Sequence, residues 1–161
     1  MNDASFGLDV ETHRKIAVDL FNHTWELIEK ERTSGEDELM ISESQASLFH
    51  WRFAGGNLEI ARGHWIISRV YSILSMPESA IYHGNRCLAL CMENNLGDFD
   101  SGFACEALAR SYFLKNDQEE YREYLEMANG YAAKIKDPDD RKWLQINLRS
   151  IEKINQLEYN I

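Results

Sequence analysis

Two prolines in 161 residues, three cysteines and no long apolar run are the scarcities that frame this chain. With so little proline, few segments are barred from helix. The runs of Ala, Leu, Glu, Lys and Arg carry a 3.6-residue apolar period, so the prediction is a mostly helical protein. Three cysteines, Cys87, Cys91 and Cys105, are an odd count in a chain long enough to build its own core. They predict free buried thiols in a reducing compartment rather than a disulfide framework. No segment approaches the roughly 18 apolar residues of a membrane span. Basic charge is also short: 17 Lys and Arg stand against 27 Asp and Glu, a net charge of −10. A nucleic-acid binder needs the opposite surface. The opening MNDASFGLDVE lacks the basic start and apolar core of a secretory signal, so the expectation is a cytoplasmic protein without a membrane or nucleic-acid partner. Gly55-Gly56 is not followed by the Lys-Ser/Thr of a phosphate loop, and no His-Glu-x-x-His or Glu-x-x-His pair occurs. These absences leave no cofactor, metal or catalytic group assigned.

What is present is helical punctuation. Residues 1–10 read as a frayed arm and 11–161 as one domain of seven helices joined by short turns. The first helix is expected from about Glu11 to Glu31, with Ile16, Leu20, Trp25 or Phe21, Leu27 and Ile28 on its apolar side. Thr33 or Ser34, with Glu36 or Asp37 three residues on, predicts a capping box for the second. Gly55-Gly56 stops that helix and Asn57 caps the third. Pro77 suits the first turn of the fourth, and Gly97 reads as its left-handed terminator. Asp98 or Asp100 caps the fifth, Asp117 with Glu120 opens the sixth, and Asp137-Pro138-Asp139-Asp140 opens the seventh.

The third helix has two unlike faces. Ile60, Gly63, Ile67, Val70 and Leu74 fall on one side, and Arg62, Trp65 and Arg69 on another, each about a turn from the next. An internal repeat accompanies it. At an offset of 41 residues Ser68 matches Ala109, Arg69 matches Arg110, Tyr71 matches Tyr112, Cys87 matches Ala128 and Cys91 matches Ala132. Two-helix units with a period of this size indicate a solenoid.

Trp65-x-x-Ser68-x-x-Tyr71, followed by Ala80 and Cys87, and Ala109-x-x-Tyr112, followed by Leu125-x-x-Ala128, resemble the tetratricopeptide (TPR) repeat in a long-period form. Ser68 and Ala109 replace the family's glycine, Tyr121 replaces an alanine, and the closing proline is missing. The chain also resembles a bacterial family of uncharacterised function with the same His-Trp and Gly-Asp-Phe-Asp landmarks. The TPR resemblance implies an all-α, right-handed superhelical stack of antiparallel hairpins. It comprises a divergent first hairpin over 11–56, TPR-like hairpins over 57–96 and 98–136, and a capping helix over 138–157. It further implies a concave face carrying Arg62, Trp65 and Arg69 from one pair and Phe103, Glu106 and Arg110 from the next, extended by Trp25.

Three arginines beside an aromatic ring make a clamp for a carboxylate or phosphate. The competing reading pairs Arg69 and Arg110 with Glu106 and Glu59 and places Trp65 in the core. A second constellation is polar: His50 and His64, each followed by tryptophan, flank the Gly55-Gly56 turn and could converge with His83 and Arg86 in a pocket. His83, Cys87 and Cys91 share a helix face, but the two cysteines also stand where the repeat wants small buried residues. Leu144, Leu148, Ile151 and Ile154 predict that the seventh helix caps the stack, with a possible two-fold dimer contact beyond it. The leading expectation is a homodimeric interaction module for a protein, peptide or small anionic ligand. The alternatives are a helix-bundle enzyme using the histidines and a purely scaffolding domain.

Overall fold

A computed structural model describes residues 5–154. Among these the chain forms seven α-helices and no strand: α1 (Val10–Ile28), α2 (Ser34–Ala54), α3 (Asn57–Ile73), α4 (Pro77–Asn94), α5 (Asp98–Leu114), α6 (Gln118–Lys134) and α7 (Pro138–Ile151). The expected arm at 1–4 and the helix residues 155–157 lie outside the described residues. Consecutive helices pack as antiparallel hairpins, and the odd-numbered helices also pack on one another, α1 on α3, α3 on α5 and α5 on α7. This all-α arrangement is compatible with a helical repeat. The period is visible in the boundaries: α3 and α5 begin at residues 57 and 98, and α4 and α6 at residues 77 and 118. It recurs in side-chain pairing, because Tyr71 stacks on His83 and Tyr112 stacks on Tyr124 at the equivalent places.

Several helix ends differ from expectation for local reasons. Residues 5–9 are not frayed: Leu8 N–H donates to the Ser5 carbonyl, and Asp9 caps α1 by accepting from Thr12 N–H at 2.7 Å. Helix α1 stops three residues early because Arg32 folds back and donates Nη1–H to the carbonyls of Leu27, Ile28 and Lys30. Its buried stripe is His13, Ala17, Thr24 and Leu27 rather than a row of large aliphatics. Small residues let α2 approach closely enough for Ser47 Oγ to donate to the Ala17 carbonyl at 2.8 Å. Gly56, not Asn57, precedes α3, and the Glu59 carboxylate accepts the Gly56 N–H at 2.7 Å. Asn95 supplies the left-handed end of α4 at φ +50°, while Gly97, at φ +95°, is the N-cap of α5. Asp98 and Asp100 therefore sit within the first turn of α5.

Helix α5 is the centre of the stack, and every residue from Asp100 to Ser111 is buried. Its small residues are what neighbours on several sides require. A Cβ on Gly102 would stand 2.6 Å from Leu144 Cδ2, so α7 is seated on a bare backbone. Gly84 of α4 likewise leaves room for Leu108, whose Cδ2 lies 2.8 Å from where a Cβ would be. Leu144, Leu148 and Ile151 complete that core as the periodicity of α7 implies.

The capping box of α2 is formed as expected: Thr33 Oγ1 accepts from Glu36 N–H, and the Glu36 carboxylate accepts from Thr33 N–H at 2.9 Å. Thr33→Ala is expected to cost about 1 kcal/mol, which lowers the midpoint of thermal unfolding by about 2–4 °C in a chain of this size. Circular dichroism melts of the two proteins measure this. An unchanged midpoint would remove the cap from the account of α2.

Candidate functional site

The side chains that α1, α3, α5 and α7 turn toward one another form three layers. The first is an aromatic row. Trp25 of α1 lies 5.5 Å from Trp65 of α3, Trp65 meets Phe103 of α5 edge-on at 5.5 Å, and Phe103 lies 4.9 Å from Phe99. Beside this row is a hollow of about 170 Å³, lined by Phe21, Trp65, Phe99, Phe103 and Trp143 with Arg62 and Asp100 at its polar edge. Arg62 and Asp100 form a two-pronged ion pair, Nε to Oδ1 at 2.7 Å and Nη2 to Oδ2 at 3.1 Å. The Arg62 side chain remains 47% exposed, so the pair itself adds at most about 1 kcal/mol. Its guanidinium also stands 5.9 Å over the Phe99 ring.

The second layer is a buried charge network. Glu106, 1% exposed, accepts from Arg110 Nε at 2.8 Å, Arg110 Nη2 at 2.5 Å and Arg69 Nη1 at 3.3 Å. Helix α7 closes it. Arg69 Nη2 donates to Asn147 Oδ1 at 2.6 Å, and Arg110 Nη2 donates to the Asn147 carbonyl and to Ser150 Oγ. Burial raises the pKa of Glu106, but the attraction of Arg110 and then Arg69 outweighs it, so the carboxyl stays below its ordinary value. The Trp65 indole N–H contributes weakly to that field yet lies outside hydrogen-bonding geometry; its Nε1 is a buried polar atom without a partner among the described residues. The third layer is a second hollow, about 300 Å³, between Arg69, Arg110, Ser72 and the aliphatic side chains of Ile28, Ile73, Leu114 and Ile154.

The structure therefore gathers Trp25, Arg62, Trp65, Arg69, Phe103, Glu106 and Arg110 on facing helices, but it spends most of the arginine donors inside the protein. Glu59 is not a partner of Arg69 or Arg110; it caps α3 instead. Asp100 and Asn147 are functional neighbours that the sequence reading passed over. Asn147 stands one repeat after Glu106 and Glu106 one repeat after Trp65, so the 41-residue period contained the signal.

The histidines do not converge. His50 pairs with His13, Nδ1 to Nδ1 at 2.8 Å, and His64 pairs with His83 at 2.9 Å, so the α1–α2 and α3–α4 hairpins each hold a separate pair. Each pair needs one Nδ1–H donor and one bare Nδ1. In the first, His13 Nε2–H donates to the Ser5 carbonyl, which leaves His13 Nδ1 to accept from His50. Burial lowers the pKa of His83 to about 4; burial and then the charge of His83, Arg52 and Arg86 lower that of His64 to about 4. Arg86 itself is exposed. Among the described residues no group of three or more His, Cys, Asp or Glu side chains is placed to hold a metal ion. Cys87, Cys91 and Cys105 are free and buried, and burial pushes the Cys105 thiol up to about 12, which keeps it an unreactive thiol. No helix among the described residues is long and apolar enough to cross a membrane.

Comparison with known proteins matches no family, no curated protein and no solved structure.

Proposed function

We propose that the protein is a TPR-like interaction module whose leading helices α1, α3, α5 and α7 receive a partner segment at the aromatic hollow. The observation that carries the reading is the hollow itself. It is bounded by five aromatic side chains from four helices, with a half-exposed arginine at its edge. Rings held rigid by one another give contact area at little entropic cost, which is why aromatic anchors dominate interaction surfaces. Arg62 makes no hydrogen bond through Nη1 among the described residues, so it offers two N–H groups to an acidic group beside the anchor. The partner is thus a peptide segment that places an aromatic or large aliphatic side chain next to Asp or Glu. Arg69 and Arg110, engaged with Glu106, do not line this hollow and take no part in this contact.

A displayed library of short peptides, screened against the full chain and followed by titration calorimetry, tests the reading. Enrichment of acidic sequences with one large apolar residue is expected. Trp143 is 46% exposed and lines the hollow, so Trp143→Ala leaves the core intact and removes one wall. It is expected to weaken the selected peptides by about 10- to 30-fold, or roughly 1.4–2 kcal/mol. Peptides that bind Trp143→Ala and Arg62→Ala as well as the unaltered chain would place the interaction elsewhere.

A further inference from the structure

The buried network does not balance. Among the described residues, Arg69 and Arg110 bring two positive charges and Glu106 brings one negative charge, and these are the charged groups that act on Arg69. Burying a charge without a counter-charge is costly, so a surplus of one among the described residues favours an added anion beside the pair. The surplus faces the second hollow. Both guanidinium groups line it, and among the described residues Arg69 Nε and Arg110 Nη1 make no hydrogen bond. The rest of the lining is mostly aliphatic, Ile28, Ile73, Leu114 and Ile154, with Ser72 and Ser75.

We infer that this hollow is a binding site for a small monoanion with a hydrocarbon body, an aliphatic carboxylate. A single negative charge neutralises the surplus, whereas a dianion such as phosphate would overshoot it and leave the aliphatic walls unfilled. Guanidinium groups match the carboxylate, and a chain of methylene groups matches the aliphatic lining. A hollow of about 300 Å³ suits a short aliphatic acid, and octanoate serves as the probe. This site is distinct from the aromatic hollow and stands or falls apart from it.

Titration calorimetry of the full chain with octanoate, octan-1-ol and inorganic phosphate tests the inference. Octanoate is expected to bind with one site per chain and sub-millimolar affinity, and octanol and phosphate at least tenfold more weakly. Arg69→Met removes the surplus while leaving the Glu106–Arg110 pair, and is expected to lower octanoate affinity at least tenfold. Ile73→Trp, which fills the hollow without touching the charges, is expected to do the same and covers the case in which the first variant does not fold. No heat with octanoate at millimolar concentration, equal binding of octanol, or octanoate binding unchanged in the variants that fold would each overturn the inference. Trp143→Ala is expected to bind octanoate normally, and loss there as well would assign the acid to the aromatic hollow instead.

Discussion

Glu106→Gln is expected to destabilise the protein by about 3–5 kcal/mol, the cost of stranding buried charge when one partner of an internal ion pair is removed. The substitution keeps the shape of the side chain and removes only its charge. Arg110, 8% exposed, and Arg69, 14% exposed, would then face each other at the centre of α3, α5 and α7 with nothing to offset them. In a chain of this length the midpoint of thermal unfolding should fall by about 6–20 °C. The triple variant Arg69→Met/Glu106→Leu/Arg110→Met should recover most of that loss, because apolar replacement of an internal ion network is often neutral or better. Urea unfolding followed by circular dichroism reads both. A Glu106→Gln midpoint close to that of the unaltered chain would mean that solvent reaches the arginines and that the network holds no buried charge.

How much of this was legible beforehand depends on what each residue was asked to reveal. The hairpins of α3–α4 and α5–α6 were readable because each start carries local chemistry, a proline at residue 77 and a capping aspartate at residue 117, and because the 41-residue offset repeats small and aromatic residues together. The buried side of α1 was misread for a physical reason. Periodicity scores large apolar residues, whereas α1 buries His13, satisfied by His50 across the hairpin, and Thr24, whose hydroxyl donates to the Leu20 carbonyl of its own helix. Arg69 and Arg110 lie together on Glu106, but their state was hidden. A guanidinium on a polar stripe looks the same in sequence whether its donors meet a ligand or a carboxylate one helix away. Asn147 shows the converse: as a polar residue on an amphipathic helix it reads as surface, yet it is buried and accepts from Arg69.

Structural pairing of the arginine stripe does not oppose the binding proposed for it. Glu106 fixes both guanidinium groups so that neither pays rotamer entropy when something docks beside them, and preorganisation of this kind is what makes a charged group useful to a ligand. The same pairing takes donors out of circulation. The two proposals divide the labour along the facing helices: Arg62, at the exposed edge, would serve a partner at the surface, and the deeper pair a ligand small enough for the second hollow.

Acidification from pH 7.5 to 5.0 is expected to lower stability before any carboxylate titrates. His64 and His83 have pKa values near 4 in the folded protein, and burial and the neighbouring His13 hold His50 below its usual value. In the unfolded chain each imidazole returns to about 6.5. Below that value the unfolded state takes up protons that the native state refuses, so stability is full above about pH 6.5 and is lost as the pH falls toward 4. The geometry explains the refusal. An Nδ1···Nδ1 contact of 2.9 Å tolerates one proton between the rings, and a second ionisation sets two N–H groups face to face with Arg52 and Arg86 adding their own repulsion. Allowing for the solvent that reaches both rings, the His64–His83 pair should contribute about 2 kcal/mol over this range, or about 4–8 °C in the unfolding midpoint. Glu59 and Glu106, whose pKa values are lowered, lose their contribution only below about pH 4.5, so the upper window belongs to the histidines. Melting curves at half-unit pH steps resolve the two. His64→Leu/His83→Phe should flatten the slope between pH 6.5 and 5.0 by at least half, leaving the share of His50. A slope unchanged in that variant would show that the facing imidazoles accept protons as readily as those of the unfolded chain.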